Sequence, residues 1–198
     1  MKYYEIEEYD MNHSEFKKLL EFRYKVYVEE LGYLKPNENG LKIEKDRYDR
    51  YSRHIVLKDG AEIIACARIV SDSDIGLPVL NKISHHNMFA HEKKVEVGRL
   101  IIQSSYRKSS TFLSLTHEIF RILLSMDITY VLADTYKDSE SYRILRSLGF
   151  KELDLEYHDE VFNLDQISTV LYFQINEMIS DLNHSPNKKQ ALFMKYWK

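Results

Sequence analysis

Between Asn12 and Gly32 the apolar side chains Phe16, Leu19, Leu20, Tyr24, Tyr27 and Leu31 recur at helical spacing. That spacing predicts a helix with Ser14 as its N-cap and Gly32 closing it. Before it, "YYEIEEY" alternates and predicts a first strand. The apolar runs in "HIVLKDGAEIIACARIV" flank Asp59-Gly60, the strongest short signal for a β-hairpin. "KVEVGRLIIQ" predicts a further strand, "SSTFLSLTHEIFRILLSM" a helix, "ITYVLADTY" a strand, "SESYRILRSLGF" a short helix ended by Gly149, and "STVLYFQINEM" a last strand. After Asn183 a polar turn and a short helix are expected. The predicted order β-α-β-β-β-α-β-α-β is mixed α/β, and the tight hairpin excludes a purely parallel sheet.

Composition narrows the class. A chain of 198 residues with 44% hydrophobic content suits one domain over residues 1–198, with a core from about residue 3 to 176 and a tail over 177–198. Net charge −3 and a pI near 6.3 give no basic face for nucleic acid. The single cysteine, Cys66, lies in an apolar run, which excludes an internal disulfide and fits a reducing compartment. The start "MKYYEIEEYD" has no apolar core of a signal peptide, and no stretch approaches the ~18 apolar residues of a membrane span. A soluble, cytoplasmic protein is expected.

"GYLKPNENGLKIEKDRYDR" is a long polar connection, and long connections in compact domains are functional or disordered. Within it, Asp46 and Asp49 stand three apart among aromatics: a solvated turn, or a pair that grips something cationic. His85, His86 and His91 lack ligand-like spacing, so no metal site is expected. No nucleophile elbow, P-loop or dinucleotide fingerprint is present.

The element order, with "VEVGRLIIQ" followed by "SSYRKSSTFLSL" and later "YRILRSLGF", resembles the GCN5-related N-acyltransferase (GNAT) superfamily. The stretch "FRYKVYVEELGY", with Arg23, Val26, Tyr27, Leu31, Gly32 and Tyr33, resembles the acyl-homoserine-lactone synthases within it. Asp46-x-x-Asp49, Arg68 and Glu96-x-x-Arg99 continue that match. Asp46, Tyr48, Asp49, Ser52 and His54 together look more like the related long-chain N-acyl amino acid synthases. The resemblance covers roughly residues 15–155. It implies a single α/β domain with a mixed central sheet, splayed strands and flanking helices. It further implies a fatty acyl thioester donor, acyl-CoA or the phosphopantetheine of an acyl carrier protein, and the amine of a small amino-acid-like acceptor. The product is then an N-acyl amino acid or a bacterial autoinducer of the quorum-sensing type. Acetyl transfer from acetyl-CoA and non-catalytic thioester or partner binding are the alternatives.

Aminolysis of a thioester needs a carboxylate to take the acceptor's proton, and Glu96 is the candidate, with Arg99 three residues on and the amides near Leu100, Ile101 and Ile102 facing the thioester. Arg23, Tyr33, Asp46, Asp49 and Arg68 fall to the acceptor side. Arg107, Lys108, Ser109, Ser110 and Thr111, at a helix N-terminus, form an anion site for the donor's phosphate. The family's two small-residue positions in that loop are Ser110 and Phe112 with neighbours Ser109 and Thr111, which tilts the expectation toward a carrier protein. The position of the family's catalytic tyrosine is Leu145. Strict alternation places Arg99 opposite Glu96. A bulge at Gly98 brings them together, and otherwise Arg68 or Arg23 must partner Glu96. Asp46 and Asp49 are expected to pair with Arg23 and Arg68 and hold the connection shut.

Overall fold

The computed structural model describes residues 4–83, 89–107, 110–162, 166–184 and 186. Among these residues seven strands form a mixed sheet, in the order β1-β2-β3-β4-β5-β7-β6, flanked by four α-helices. The chain groups into two compact units: residues 1–70, 97–119 and 160–164 in one, and 71–96, 120–159 and 165–198 in the other. Strand β4 (Lys94–Ile102) contributes its last six residues to the first unit and its first three to the second.

In the first unit, β1 (Glu5–Tyr9) pairs antiparallel with β2 (Ser52–Asp59), and β2 with β3 (Glu62–Ser71). The hairpin turns at Gly60, whose φ of 61° lies in the left-handed region that glycine adopts without steric cost. β3 is buried at seven consecutive positions, Ile64–Val70. That is why its sequence is apolar on both faces rather than alternating, except for Arg68. Helix α1 (Phe16–Tyr24) packs Phe16, Leu19, Leu20 and Phe22 into a core with Tyr9, Val26, Tyr27, Val56, Cys66 and Ile101.

Two details of the expected first helix are corrected. Glu15, not Ser14, occupies the N-cap, and its side chain makes no capping bond. The helix does not run unbroken to Gly32: Lys25–Glu30 form a π-helical turn, closed by Leu31 N–H donating to the Val26 carbonyl at 3.0 Å.

In the second unit, β5 (Tyr130–Tyr136) pairs parallel with β4 at Lys94, Val95 and Glu96, then antiparallel with β7 (Ile167–Gln174) along its whole length. β4 continues to Ile102 beyond that three-residue register. Helix α3 (Glu140–Leu148) starts at Ser139, whose Oγ accepts the Tyr142 N–H at 3.0 Å, and ends at left-handed Gly149. Phe173 stacks on Phe120 and meets Phe150 edge-on, at centroid distances of 5.8 and 4.6 Å.

The sequence reading missed β6 (Lys151–His158), which pairs with β7. Its last strand also ends sooner than expected: Gln174 closes β7, and helix α4 (Ile175–His184) follows at once. The helix expected after Asn183 lies largely outside the described residues. Helix α2 (Thr111–Ser125) begins within the predicted Ser/Thr run. No helix among the described residues is long and apolar enough to cross a membrane.

Candidate active site

The first unit gathers an array of three arginines and three carboxylates. Arg23 comes from α1, Arg68 from β3, Arg99 from β4, and Glu44, Asp46 and Asp49 from the connection before β2. Asp49 Oδ1 accepts from Arg23 Nη1 at 2.7 Å and from Arg68 Nη1 at 2.8 Å. Asp46 accepts from Arg68 at 2.7 Å and from Arg99 at 3.0 Å. Glu44 pairs with Arg23 and, at 3.0 Å, with Arg99.

The connection is shaped for this work. Asp49 Oδ2 accepts the Asp46 N–H, and Asp46 Oδ1 the Tyr48 N–H, both at 2.9 Å. Each aspartate thus wraps its own turn while reaching a guanidinium. Glu44 N–H donates to the Leu20 carbonyl, tying the segment's start to α1.

The array is inside the protein. Arg23 is wholly buried, and Asp49 and Arg68 are 1% exposed. The side chains of Arg99 and Asp46, at 14% and 25%, form its accessible edge. Burial alone raises carboxylate pKa values. Here the guanidiniums outweigh it: Arg23 and Arg68 hold Asp49 well below the usual carboxylate range, Arg68 and Arg99 lower Asp46, and Arg99 and Arg23 lower Glu44. Burial works against the Arg99 guanidinium too, but Glu44 leads the neighbours that leave Arg99 raised well above its ordinary value.

His54 lies beside the array, opposite Arg68 across the β2–β3 ladder. Its Nε2 is 3.8 Å from Asp49 Oδ1 and makes no hydrogen bond. Burial, then the charge of Arg23, lowers its pKa to about 4. Burial likewise pushes the Cys66 thiol up to about 12, so this cysteine is a core residue rather than a nucleophile.

In β4 the unusual backbone lies at Arg99, the residue after Gly98. Arg99 has φ 51°, the left-handed region that non-glycine residues seldom adopt. Its side chain joins Glu44 and Asp46, and its guanidinium carbon lies 5.7 Å from the ring centroids of both Tyr27 and Phe162. Tyr33 packs, half-buried, against the same core.

Glu96 belongs to the second unit. It is 3% exposed, and its Oε2 accepts the Val79 N–H at 2.7 Å. Since Glu96 is in register with Leu132, alternation places Asp134 on the same sheet face. Asp134 accepts from Tyr157 Oη at 2.5 Å and from Lys82 Nζ at 3.3 Å, while Asp159 accepts from Lys82 at 2.6 Å. Asp134 leads the charges that raise the Lys82 pKa against burial.

Farther along β4, Leu100 and Ile102 are half-buried and Ile101 is buried. Arg107 Nε donates to the Ile102 carbonyl at 3.0 Å, and its Nη2 lies 3.5 Å from Glu30. Thr111 is fully buried at the start of α2 and Ser110 half-buried before it. Lys108 and Ser109, like His85 and His86, lie outside the described residues.

Residues 22–117 match the family model described as an acetyltransferase (GNAT) domain. The solved N-acyl amino acid synthase FeeM, from uncultured soil microbes, superposes with TM-score 0.69 at 15% identity, covering 96% of this chain and 99% of that one. The fold is GNAT. A second GNAT-fold neighbour is the CoA-dependent acyl-homoserine lactone synthase BjaI, solved with SAM and isopentyl-CoA, at TM-score 0.66 and 15% identity over 89% and 87% of the two chains. A third is Escherichia coli ElaA, at TM-score 0.56 and 20% identity over 85% and 99%. No curated protein matches by sequence.

Sequence reasoning missed Glu44, which closes the array, and the Lys82–Asp134–Tyr157–Asp159 cluster. Glu44 carried a signal: in an extended segment residues 44 and 46 share a face. The cluster carried none, because its members come from separate stretches of the GNAT fold with nothing local to link them.

Proposed function

We propose that the protein is an N-acyltransferase that moves a fatty acyl group from an acyl thioester to the amine of a small amino-acid-like acceptor, yielding an N-acyl amino acid or an autoinducer-like signal. The observation that carries this is the charge-balanced array of Arg23, Arg68 and Arg99 with Glu44, Asp46 and Asp49, placed on a GNAT fold. Its support comes also from solved neighbours named as N-acyl amino acid and acyl-homoserine lactone synthases.

In this reading Glu96 takes the proton of the acceptor's ammonium, directly or through a water, with its other oxygen held by the Val79 N–H. The free amine attacks the thioester carbonyl, and the C–S bond breaks to release a thiolate that takes up a proton. Backbone N–H groups of β4 near Leu100–Ile102 stabilise the oxyanion, an effect worth ~3–4 kcal/mol per donor. Arg99 and Asp46, the accessible edge of the array, face the acceptor. Arg107, Ser110 and Thr111 serve the donor's phosphate, whether carried by CoA or by an acyl carrier protein.

A second reading, acetyl transfer from acetyl-CoA, is favoured by the description of the matching family model. One experiment separates the two. Acyl-CoA and acyl-carrier donors from two to sixteen carbons are incubated with mixed amino acids, thiol release is followed, and products are identified by mass spectrometry. The proposal expects N-acylated products from medium or long donors. Activity confined to the two-carbon donor selects the second reading, and silence with every donor from folded protein refutes both.

A further inference from the structure

Arg99 is held on one side by acids and on the other by rings. Its guanidinium contacts Glu44 and Asp46 at 3.0 Å each, and the rings of Tyr27 and Phe162 both stand 5.7 Å from its central carbon. Those rings meet each other edge-on at 5.7 Å. Tyr27 is fixed within the π-helical turn. Phe162 comes from elsewhere: residues 160–164 fall between β6 and β7 in the chain yet belong to the first unit, and Phe162 packs against that unit's core. Its neighbour Val161 is 62% exposed, while Phe162 itself turns toward the core.

A planar guanidinium stacks on an aromatic face more favourably than on an aliphatic one. Glu44 and Asp46 hold Arg99 through its Nε and Nη2, and the two rings add contacts at the guanidinium that the carboxylates do not make. The strained backbone of Arg99 is therefore matched by a side chain constrained from several directions.

We infer that Phe162 is a positioning residue: by stacking on Arg99 against Tyr27, it fixes the guanidinium at the accessible edge of the array, where the acceptor is recognised. The inference rests on the acyl-transfer reading for its effect on the acceptor, though not for the stacking itself. Removing the ring while keeping apolar volume should loosen Arg99 and weaken acceptor binding, and leave donor binding alone.

The test uses the full chain with Phe162→Leu, Phe162→Met and Phe162→Trp. Hydrogen exchange of the Arg99 Nε–H, followed by nitrogen-15 NMR, reads the stacking without turnover. The aliphatic variants should speed that exchange about two- to fivefold and raise the acceptor KM by a similar factor, while Phe162→Trp stays near wild type. The donor KM should not change. Unchanged Nε–H exchange in the aliphatic variants overturns the inference, as does a rise in donor KM alone. Should Phe162→Leu fail to fold, Phe162→Met supplies the same reading. If no donor and acceptor pair reacts, the proposed function fails, and the exchange rates alone then decide whether Phe162 holds Arg99.

Discussion

Acid sensitivity of the fold should trace to His54. An unfolded chain protonates this imidazole near pH 6.5, whereas the folded protein resists until about pH 4, because burial and the charge of Arg23 disfavour the cation. Between those values the unfolded state holds one more proton, so stability falls as pH falls. Each pH unit is worth about 1.36 kcal/mol. The loss is therefore about 2 kcal/mol between pH 7 and pH 5 and roughly 3 kcal/mol by pH 4, where it levels off. The array's own carboxylates, all lowered, shift stability in the same direction, but chiefly below about pH 5. Their stabilisation is complete above the ordinary carboxylate range and is lost only as pH falls toward their depressed values. Urea unfolding at pH 7 and pH 5, at fixed ionic strength, isolates the histidine. Wild type should show the lower midpoint at pH 5 with an unchanged slope against denaturant. His54→Gln, which cannot charge, should lose about 2 kcal/mol less over the same interval. Parallel losses in the two proteins would refute the assignment.

Asp49→Asn leaves Arg23 and Arg68 with excess buried charge and should cost about 3–5 kcal/mol, read from the urea midpoint at pH 7. Glu96→Gln should keep the fold by circular dichroism yet slow thioester aminolysis by about 10²–10⁴, the deficit narrowing as pH is raised and the acceptor loses its own proton. Cys66, buried with its thiol pushed up to about 12, should resist a thiol reagent in native buffer and react stoichiometrically in urea. Ready labelling of folded protein would contradict its place in the core.

What was legible in the sequence was what local chemistry determines. Asp59-Gly60 marked the hairpin because a turn needs a left-handed residue there, and Ser139 with Gly149 bracketed α3 with a cap at each end. Strand β6 carried a signal that went unread: in "KELDLEYH" Leu153, Leu155 and Tyr157 alternate with Asp154, Glu156 and His158, and these apolar positions are half-buried. The dense charge around them masked the alternation. The π-helical turn was hidden for a different reason. Tyr24, Tyr27 and Leu31 keep helical spacing in sequence while the backbone widens to place Leu31 N–H on Val26. In the site, Arg23, Asp46, Asp49 and Arg68 were expected together and lie together. Arg99 was expected to reach Glu96 only through a bulge at Gly98, and its ion pairs go to Glu44 and Asp46. A two-residue strand alternation cannot foresee a left-handed backbone at Arg99, because the strain there is held by contacts from remote parts of the chain.

That the first unit is assembled from residues 1–70, 97–119 and 160–164 has a bearing on how the chain acquires its structure at the ribosome. Arg23, Glu44, Asp46, Asp49 and Arg68 emerge early, but Arg99 must follow before the third guanidinium joins them. Phe162 appears only after β5, α3 and β6 have been translated. Until then the nascent first unit carries an arginine without its second ring, and the growing protein must keep that core face shielded while most of the remaining sheet is still being synthesised.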